Sequence, residues 1–442
     1  MTDLGDALYS TPAMSEVWSG RARLQQMLDF EAALARAEAR AGVIPPDAAE
    51  AIAAACRAER FDPGQLFRDT GLSATPAVPL VRALTRLVPE EARGYVHWGA
   101  TSQDVVDTGF VLQAREALDL LERDLLGLGA TCARLADRHR ATPMAGRTLL
   151  QQALPITFGL KAARWLAMVT RQVERLRQVR ERVSVAQLGG AAGTLASLGA
   201  AGPRVAAELA RGLGLSEPDL PWHAERDRVA ELAAQLGVVA GVAAKIAQDL
   251  VLLAQSEVGE ASEGAAPGKG GSSTLPQKRN PVDATLALAA ARLAIGLVPI
   301  LLGGMAHEHE RAVGAWQAEW SAIPDLFCRT ACAVERVRAA LDGLEVDAAA
   351  MARNLGGSDG LVMAESLAMA LAAKVGRHEA QRIVARLAGA GASLERGALA
   401  DAEVRAQLSP EAIRAALDPA NYLGSTDLFV DRALAAYARL RT

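Results

Sequence analysis

The stretch Val229-Ala-Glu-Leu-Ala-Ala-Gln-Leu-Gly-Val-Val-Ala-Gly-Val-Ala-Ala-Lys-Ile-Ala-Gln-Asp-Leu-Val-Leu-Leu253 decides the fold. Its apolar positions Val229, Leu232, Leu236, Val239, Ala243, Ile246, Leu250 and Leu253 alternate spacings of three and four. That is a 3.5-residue period, the mark of a helix whose apolar seam follows its neighbours in a supercoiled bundle. The enclosing segment, His223 to Gly259, holds no Pro and only Gly237 and Gly241 in its interior. At 1.5 Å per residue it predicts a helix roughly 50 Å long, far above the globular average. Gly241 and the many alanines are expected to let neighbouring helices approach closely.

The same texture extends on both sides. Ile156 to Leu188 has one Gly and no Pro and predicts a second long helix. Val282 to Met305 is very apolar yet contains Asp283, Arg292 and Pro299. Charges are costly inside a bilayer, so it is expected to be a helix buried on all sides in a protein core. A helix of that kind suits a core shared in an oligomer. Before about residue 110 the helical segments are short, with Arg21 to Gly42 ended by the Ile44-Pro45-Pro46 break. The expected organisation is an N-terminal helical domain, 1–110, a central long-helix bundle, 111–354, and a C-terminal helical domain, 355–442. Ser409-Pro410 predicts an N-cap followed by Pro in the first turn.

Composition agrees with an all-α protein. Of 442 residues 51% are hydrophobic but only 4% aromatic, so Ala and Leu, strong helix formers, carry the apolar fraction. Disorder is excluded by that apolar content, and a formal charge of −4 gives no reason to expect nucleic acid as a partner. Cys56, Cys132, Cys328 and Cys332 are too few for a disulfide scaffold and fit a reducing cytoplasm. Met1 to Ser10 has no basic region and no apolar core, so no secretory signal and no membrane partner are expected. His307-Glu308-His309-Glu310 resembles a metal-ligand string, but on a helix residues two apart face different directions, so no metal is expected. Trp222, His223 and Arg226 are read either as bordering the site or as the start of the long helix, the latter being preferred.

Chemistry concentrates in the loop Glu263 to Pro281, above all in Pro267-Gly-Lys-Gly-Gly-Ser-Ser-Thr-Leu-Pro-Gln-Lys-Arg-Asn-Pro281. It lacks the Gly-Lys-Ser/Thr order of a phosphate loop, and no strand is read before it. Glycines let backbone amides point at a ligand. Lys269, Lys278 and Arg279 supply positive charge, Asn280 a directional amide, and two serines hydroxyls for proton transfer. A serine works as acid/base only where dipoles and a cation stabilise its alkoxide away from water. The loop is therefore expected to be an anion-binding lid.

Gly271-Ser-Ser-Thr-Leu-Pro-Gln-Lys-Arg-Asn-Pro281 resembles the signature of the fumarase/aspartase superfamily. His97-Trp-Gly-Ala-Thr-Ser-Gln-Asp104 with Asp107-Thr108 resembles its first region. Gly146-Arg-Thr-Leu-Leu-Gln151 with Pro155 and Thr157 resembles the second. This resemblance implies an all-α three-domain subunit and a homotetramer whose active sites are shared between subunits. Within the superfamily, Arg23 to Glu38, Tyr95 to Asp104, His309-Glu310-Arg311 with Trp316, Glu319 and Trp320, and Asp418-Pro419 with Tyr422-Leu423-Gly424 most resemble the bacterial 3-carboxy-cis,cis-muconate cycloisomerase family. These are lactonising enzymes of protocatechuate breakdown in the β-ketoadipate pathway. Adenylosuccinate lyase, a C–N lyase, shares the overall pattern and stays as the alternative, as does a catalytically weak structural member of the superfamily.

Three departures separate the chain from adenylosuccinate lyases. Those carry a His acid where Leu149 stands, a supporting Glu where Thr285 stands, and a His-Asp pair near Thr75-Pro76. An amine leaves badly without a proton, whereas a carboxylate, with a pKa near 4, leaves as a stable anion. The resemblance implies Ser272 as acid/base, with Ser273 beside it as the other candidate, and Lys278 and Asn280 as stabilisers of an enediolate. It implies Thr101, Ser102 and Gln103 on one substrate carboxylate, Thr148 and Gln151 opposite, and Arg311 and Arg21 on the remaining charge of a tricarboxylate. His97 is read either as a site residue or as a structural histidine. No cofactor is expected.

Overall fold

A computed structural model describes residues 4–266, 268–271, 274–275, 278–391 and 393–441. The fold is all-α. Five long helices dominate it: Ser102–Arg138, Phe158–Val183, Asp227–Ala254, Val282–Gly303 and Ala315–Asp342. The chain divides into two compact units, and the division falls within or beside these helices. One comprises Met1–Leu125, Gln172–Ala244 and Leu286–Glu335, the other Leu126–Arg171, Lys245–Thr285 and Arg336–Thr442.

All eight seam residues, Val229 through Leu253, are buried, as their period requires. The close approach comes at a different glycine than expected. A Cβ on Gly237 would lie 2.8 Å from Val298 Cγ2, whereas nothing lies within 4 Å of one on Gly241. Gly237 is therefore where Val298, of the helix Val282–Gly303, approaches closely.

That helix is not buried on all sides within one chain. Ala284, Ala287, Ala290, Ala291 and Ala294 form a buried stripe, but Leu293, Ile295, Ile300 and Leu302 are exposed. Leu301 apart, small side chains face inward and these large apolar ones outward, the reverse of a helix that finishes its packing within its own chain. Asp227–Ala254 and Val282–Gly303 are both long and apolar enough to cross a membrane. The seam of the first is buried, and Asp283 of the second is paired with Arg336 at 3.0 Å.

In the first unit, Ser19 caps Gly20–Arg40 by accepting from the Ala22 N–H, and the chain turns at Gly42 with φ 77°. Leu24, Leu28, Phe30 and Leu34 of this helix pack with Ile52, Leu80, Leu84 and Leu209. In the second unit, Ser409 accepts from the Ala412 N–H at 3.2 Å, with Pro410 in the first turn, as expected. Leu367, Leu371, Ile383, Leu394 and Ile413 form the core there. All four cysteines are buried and none forms a disulfide among the described residues, which suits small apolar side chains.

Two segments depart from the sequence reading. Pro143–Thr148 and Gln151–Thr157 form an antiparallel hairpin where no strand was expected. Its two turn residues, Leu149 and Leu150, both have positive φ, 49° and 64°. Hairpin turns of this kind normally carry Asn or Gly, so a Leu-Leu turn is invisible to turn chemistry. The second is His307 to Glu310, which lies in the connection between two long helices rather than on a helix, with His309 at φ 47°.

Candidate active site

In the first unit the site is organised by Asp104. Thr101 and Ser102 stand where Ser102–Arg138 begins, and the backbone N–H of Thr101 donates to Asp104 Oδ2 at 2.9 Å. Gly189 N–H and Gly190 N–H donate to the two oxygens of the same carboxylate at 2.9 and 3.0 Å. His223 Nε2 lies 2.6 Å from Asp104 Oδ1. One buried carboxylate thus ties the first motif to the Gly-rich break 188–194 and to the segment ahead of the helix Asp227–Ala254. Arg311 Nη2 donates to the Ala191 carbonyl at 3.1 Å, which brings this residue to the same break.

Gly99 is required where it stands. Its φ is 71°, and a Cβ there would lie 2.6 Å from Leu198 Cδ2. The turn it makes sets the start of the helix, whose first N–H groups attract anions.

Gln103 is fully buried. Its amide donates to Asp107 Oδ2 at 3.1 Å and to the His223 carbonyl at 2.8 Å. Its amide donors are therefore taken up within the chain, where they hold this framework together, rather than facing a substrate carboxylate as the resemblance implied. Arg21 is exposed and paired with Glu59 at 2.6 Å. His97, with φ 58°, has its Nδ1 2.6 Å from Glu31 Oε1.

Arg226 does more than start a helix. It is fully buried, with Nη1 2.7 Å from Asp107 Oδ2 and Nε 3.0 Å from Glu319 Oε1. Trp222 stacks on its guanidinium at 5.0 Å, and Trp316 Nε1 donates to Asp107 Oδ1 at 2.9 Å. Burial costs the guanidinium charge, but the two carboxylates outweigh that and raise its pKa. Burial in turn raises the pKa of Glu319 against the pull of Arg226. His307 beside them is held low by burial and by the Arg226 charge.

In the second unit, Thr148 and Gln151 are paired across the hairpin turn, and both are exposed. The hairpin is anchored by Arg147, whose guanidinium makes two bonds to Glu260, at 2.8 and 2.6 Å. Asn354 Nδ2 adds a third at 2.8 Å to the same buried carboxylate. Leu149 and Leu150 at the tip are 94% and 80% exposed.

Glu260 also stands just ahead of the signature loop, whose neck is closed. Asn280 N–H donates to the Gly270 carbonyl at 2.8 Å, and Gly271 bridges to Arg279. Gly270 has φ 72°, and a Cβ there would meet the Asn280 carbonyl at 2.8 Å, so only glycine allows this closure. Lys269 Nζ sits 3.2 Å from Glu263 and 2.5 Å from Asp283, and these partners outweigh its desolvation to raise its pKa. Arg279 pairs with Glu345 at 3.0 Å. Two of the three cations expected to attract a ligand are thus neutralised within the chain. Lys278 is exposed and has no ion pair among the described residues. Ser272 and Ser273 lie outside the described residues.

The residues that the sequence left without a role are Glu31, Glu260 and the Arg226 pairs. Asp104, Asp107 and Glu319 stood inside quoted motifs, but beyond Thr101 and Gln103 the partners that bond them are some 80 to 210 residues away and no local pattern marks them.

Residues 5–296 match the family model described as lyase, and residues 360–433 match that of the adenylosuccinate lyase C-terminus. The latter segment carries none of the candidate site residues. The chain is 49% identical to a 3-carboxy-cis,cis-muconate cycloisomerase of Pseudomonas aeruginosa, over 99% of this chain and 97% of that one. It is 47% identical to one from Pseudomonas putida, over 92% and 98%. The crystal structure of the 3-carboxy-cis,cis-muconate lactonizing enzyme from Pseudomonas putida superposes with a TM-score of 0.95 at 46% identity, covering 100% of both chains. The chain therefore belongs to the lyase family of the fumarase/aspartase superfamily, in the company of its 3-carboxy-cis,cis-muconate cycloisomerases.

Proposed function

We propose that this chain cycloisomerises 3-carboxy-cis,cis-muconate to 4-carboxymuconolactone, in the protocatechuate branch of the β-ketoadipate pathway. The observation that carries this reading is Leu149. Where a C–N lyase of the superfamily keeps its His acid, this chain has a leucine in an exposed hairpin turn. Thr285, in place of the supporting Glu, donates its hydroxyl to the Pro281 carbonyl at 2.7 Å. A reaction whose leaving group is a carboxylate needs no such acid, and in reverse the attacking carboxylate needs no base. Relatives of that activity at 46–49% identity over almost the whole chain support the reading.

The chemistry balances with one proton. A substrate carboxylate oxygen forms a C–O bond to one carbon of a double bond, on the face opposite to protonation. The displaced electron pair moves to the neighbouring carbon and onto its carboxylate as an enediolate. That carbon then takes a proton from the Ser272 hydroxyl, or from Ser273, and the serine regains one from solvent. Lys278 and Asn280 stabilise the enediolate, where charge develops. Thr101 and Ser102 bind a substrate carboxylate, with Thr148 and Gln151 on another. Arg311, Arg21 and His97 meet the remaining charge.

The outward apolar face of Val282–Gly303 and the exposed Leu149–Leu150 tip support a homotetramer with shared active sites, and four buried cysteines without a disulfide among the described residues suit work in a reducing cytoplasm. Light scattering at working concentration tests the assembly. For the reaction, turnover in deuterated water is expected to give a lactone with a single deuterium on the carbon beside a carboxylate. A product without a lactone ring contradicts the proposal. Ser272→Ala is expected to abolish turnover, and full activity in that variant transfers the acid/base role to Ser273.

A further inference from the structure

Glu31 lies within the helix Gly20–Arg40 with its side chain 0% exposed. Its Oε1 is 2.6 Å from His97 Nδ1, while Oε2 has no hydrogen-bond partner among the described residues. A carboxylate this deep is tolerated when an opposite charge accompanies it. Its surroundings supply few. Glu38, two turns further along the same helix, is itself buried, and burial together with the Glu31 charge pushes its pKa up to about 9. Glu38 is thus neutral at physiological pH. Cys56 is likewise pushed up by burial and by Glu31, with Asp29 and Arg36 acting on it from further round. The facing groups on the other side are Asp104 and His97 itself.

His97 is the group that can neutralise Glu31. Burial alone would push its imidazolium down, but the charge and hydrogen bond of Glu31, with Asp104 behind them, raise its pKa above the usual value. An ionised carboxylate has no proton to give, so Nδ1 is the donor, and Nε2 is the ring nitrogen left for anything else. Nε2 makes no hydrogen bond among the described residues and is not sealed from solvent, the side chain being 15% exposed. The left-handed backbone at His97, φ 58°, is costly for a non-glycine residue. It holds this ring just ahead of Thr101 and Ser102.

We propose that Glu31 is a positioning residue that locks the His97 ring with Nδ1 inward and its charge in place, so that Nε2–H binds a carboxylate of the substrate. The identity of the ligand rests on the polycarboxylate reading above; the state of the Glu31–His97 pair does not. Because the bound carboxylate is charged both before and during the reaction, the contact acts on binding more than on the chemical step.

Two measurements test this. The chain has six histidines, so ¹³C-labelled imidazole resonances are assignable with His97→Gln as the reference. His97 is expected to titrate above the usual imidazole value, and about one unit or more lower in Glu31→Gln. Calorimetry with tricarballylate, an unreactive tricarboxylate, is expected to show affinity falling as pH rises through the His97 pKa. In Glu31→Gln and His97→Gln that affinity is about tenfold weaker at neutral pH, and its pH dependence is flattened. In turnover, KM rises by a similar factor with kcat within about twofold, and Glu31→Asp recovers part of the loss. If Glu31→Gln does not fold, the wild-type titration and His97→Gln carry the test. The proposal is overturned if His97 titrates alike in wild type and Glu31→Gln, or if wild-type affinity for tricarballylate is absent or independent of pH. A wild type that meets the titration and binding expectations but does not consume 3-carboxy-cis,cis-muconate overturns the functional reading and leaves the pair standing.

Discussion

Glu263 Oε1 accepts a hydrogen bond at 2.8 Å from the backbone N–H of Ala284, 21 residues further along the chain. Its second oxygen accepts from the Asp283 N–H at 3.2 Å and pairs with Lys269. A carboxylate at a helix N-terminus satisfies donors that would otherwise be orphaned and opposes the positive end of the helix dipole. Here it also joins the two sides of the signature loop. Glu263→Ala is therefore expected to cost about 2–3 kcal/mol, the scale of charged hydrogen bonds lost from a buried group. Turnover is expected to fall at least tenfold with it, because Asn280 sits on the same neck. Thermal unfolding and kcat of the variant check this, and two unchanged values mean that the neck is held by something else.

Arg226 is the only cation bonded to both Asp107 and Glu319 among the described residues. Arg226→Met leaves two buried carboxylates without their counter-charge, which is expected to destabilise by about 3–5 kcal/mol. Arg226→Lys is expected to restore little, because a point charge cannot reproduce a guanidinium bonded on two edges. Denaturant midpoints of the two variants decide it.

Glu38 carries a pH prediction. Its folded pKa of about 9 is above the ordinary 4.5, so the native state binds a proton that the unfolded state has released. Stability tied to this group is present at low pH and is lost as pH rises from about 4.5 to about 9. Glu38→Gln removes that loss. The stability difference in favour of the variant is expected to grow by about 1.4 kcal/mol per pH unit across that window. Unfolding transitions at pH 6 and pH 8.5 measure the difference, and a gap that does not widen contradicts it.

Gly99 is constrained twice, by φ 71° and by Leu198. Gly99→Ala is expected to cost about 2 kcal/mol from backbone strain and overpacking together. Combining it with Leu198→Ala removes the clash but not the strain, so the double variant recovers the first motif only in part. Turnover with each variant is the readout.

How much of this was legible in the sequence depends on how local each feature is. The Val229–Leu253 seam was legible because a helix records its buried face in its own spacing, and every one of its eight positions is buried. The Ser409 cap and the turn at Gly42 were legible for the same reason. The hairpin at Leu149–Leu150 was not, since its residues carry no turn chemistry and its strands are short. Helix geometry was wrongly extended through His307 to Glu310, where the chain has already left the helix ending at Gly303. At the site, the motifs marked the right segments but not the division of labour. Gln103 read as a ligand-facing amide because its partners, Asp107 aside, come from the distant segment at His223. The cationic charge of Lys269 and Arg279 read as open because the carboxylates that meet them, Asp283 and Glu345, are brought in by tertiary structure.

The central claim is that a site lacking an acid at Leu149 closes a lactone instead of expelling an amine. Mixing the purified protein with 3-carboxy-cis,cis-muconate and following the diene ultraviolet absorbance tests it most directly. Rapid loss of the diene, with no turnover of adenylosuccinate under the same conditions, is the expected result. A stable diene signal with cleavage of adenylosuccinate contradicts the account.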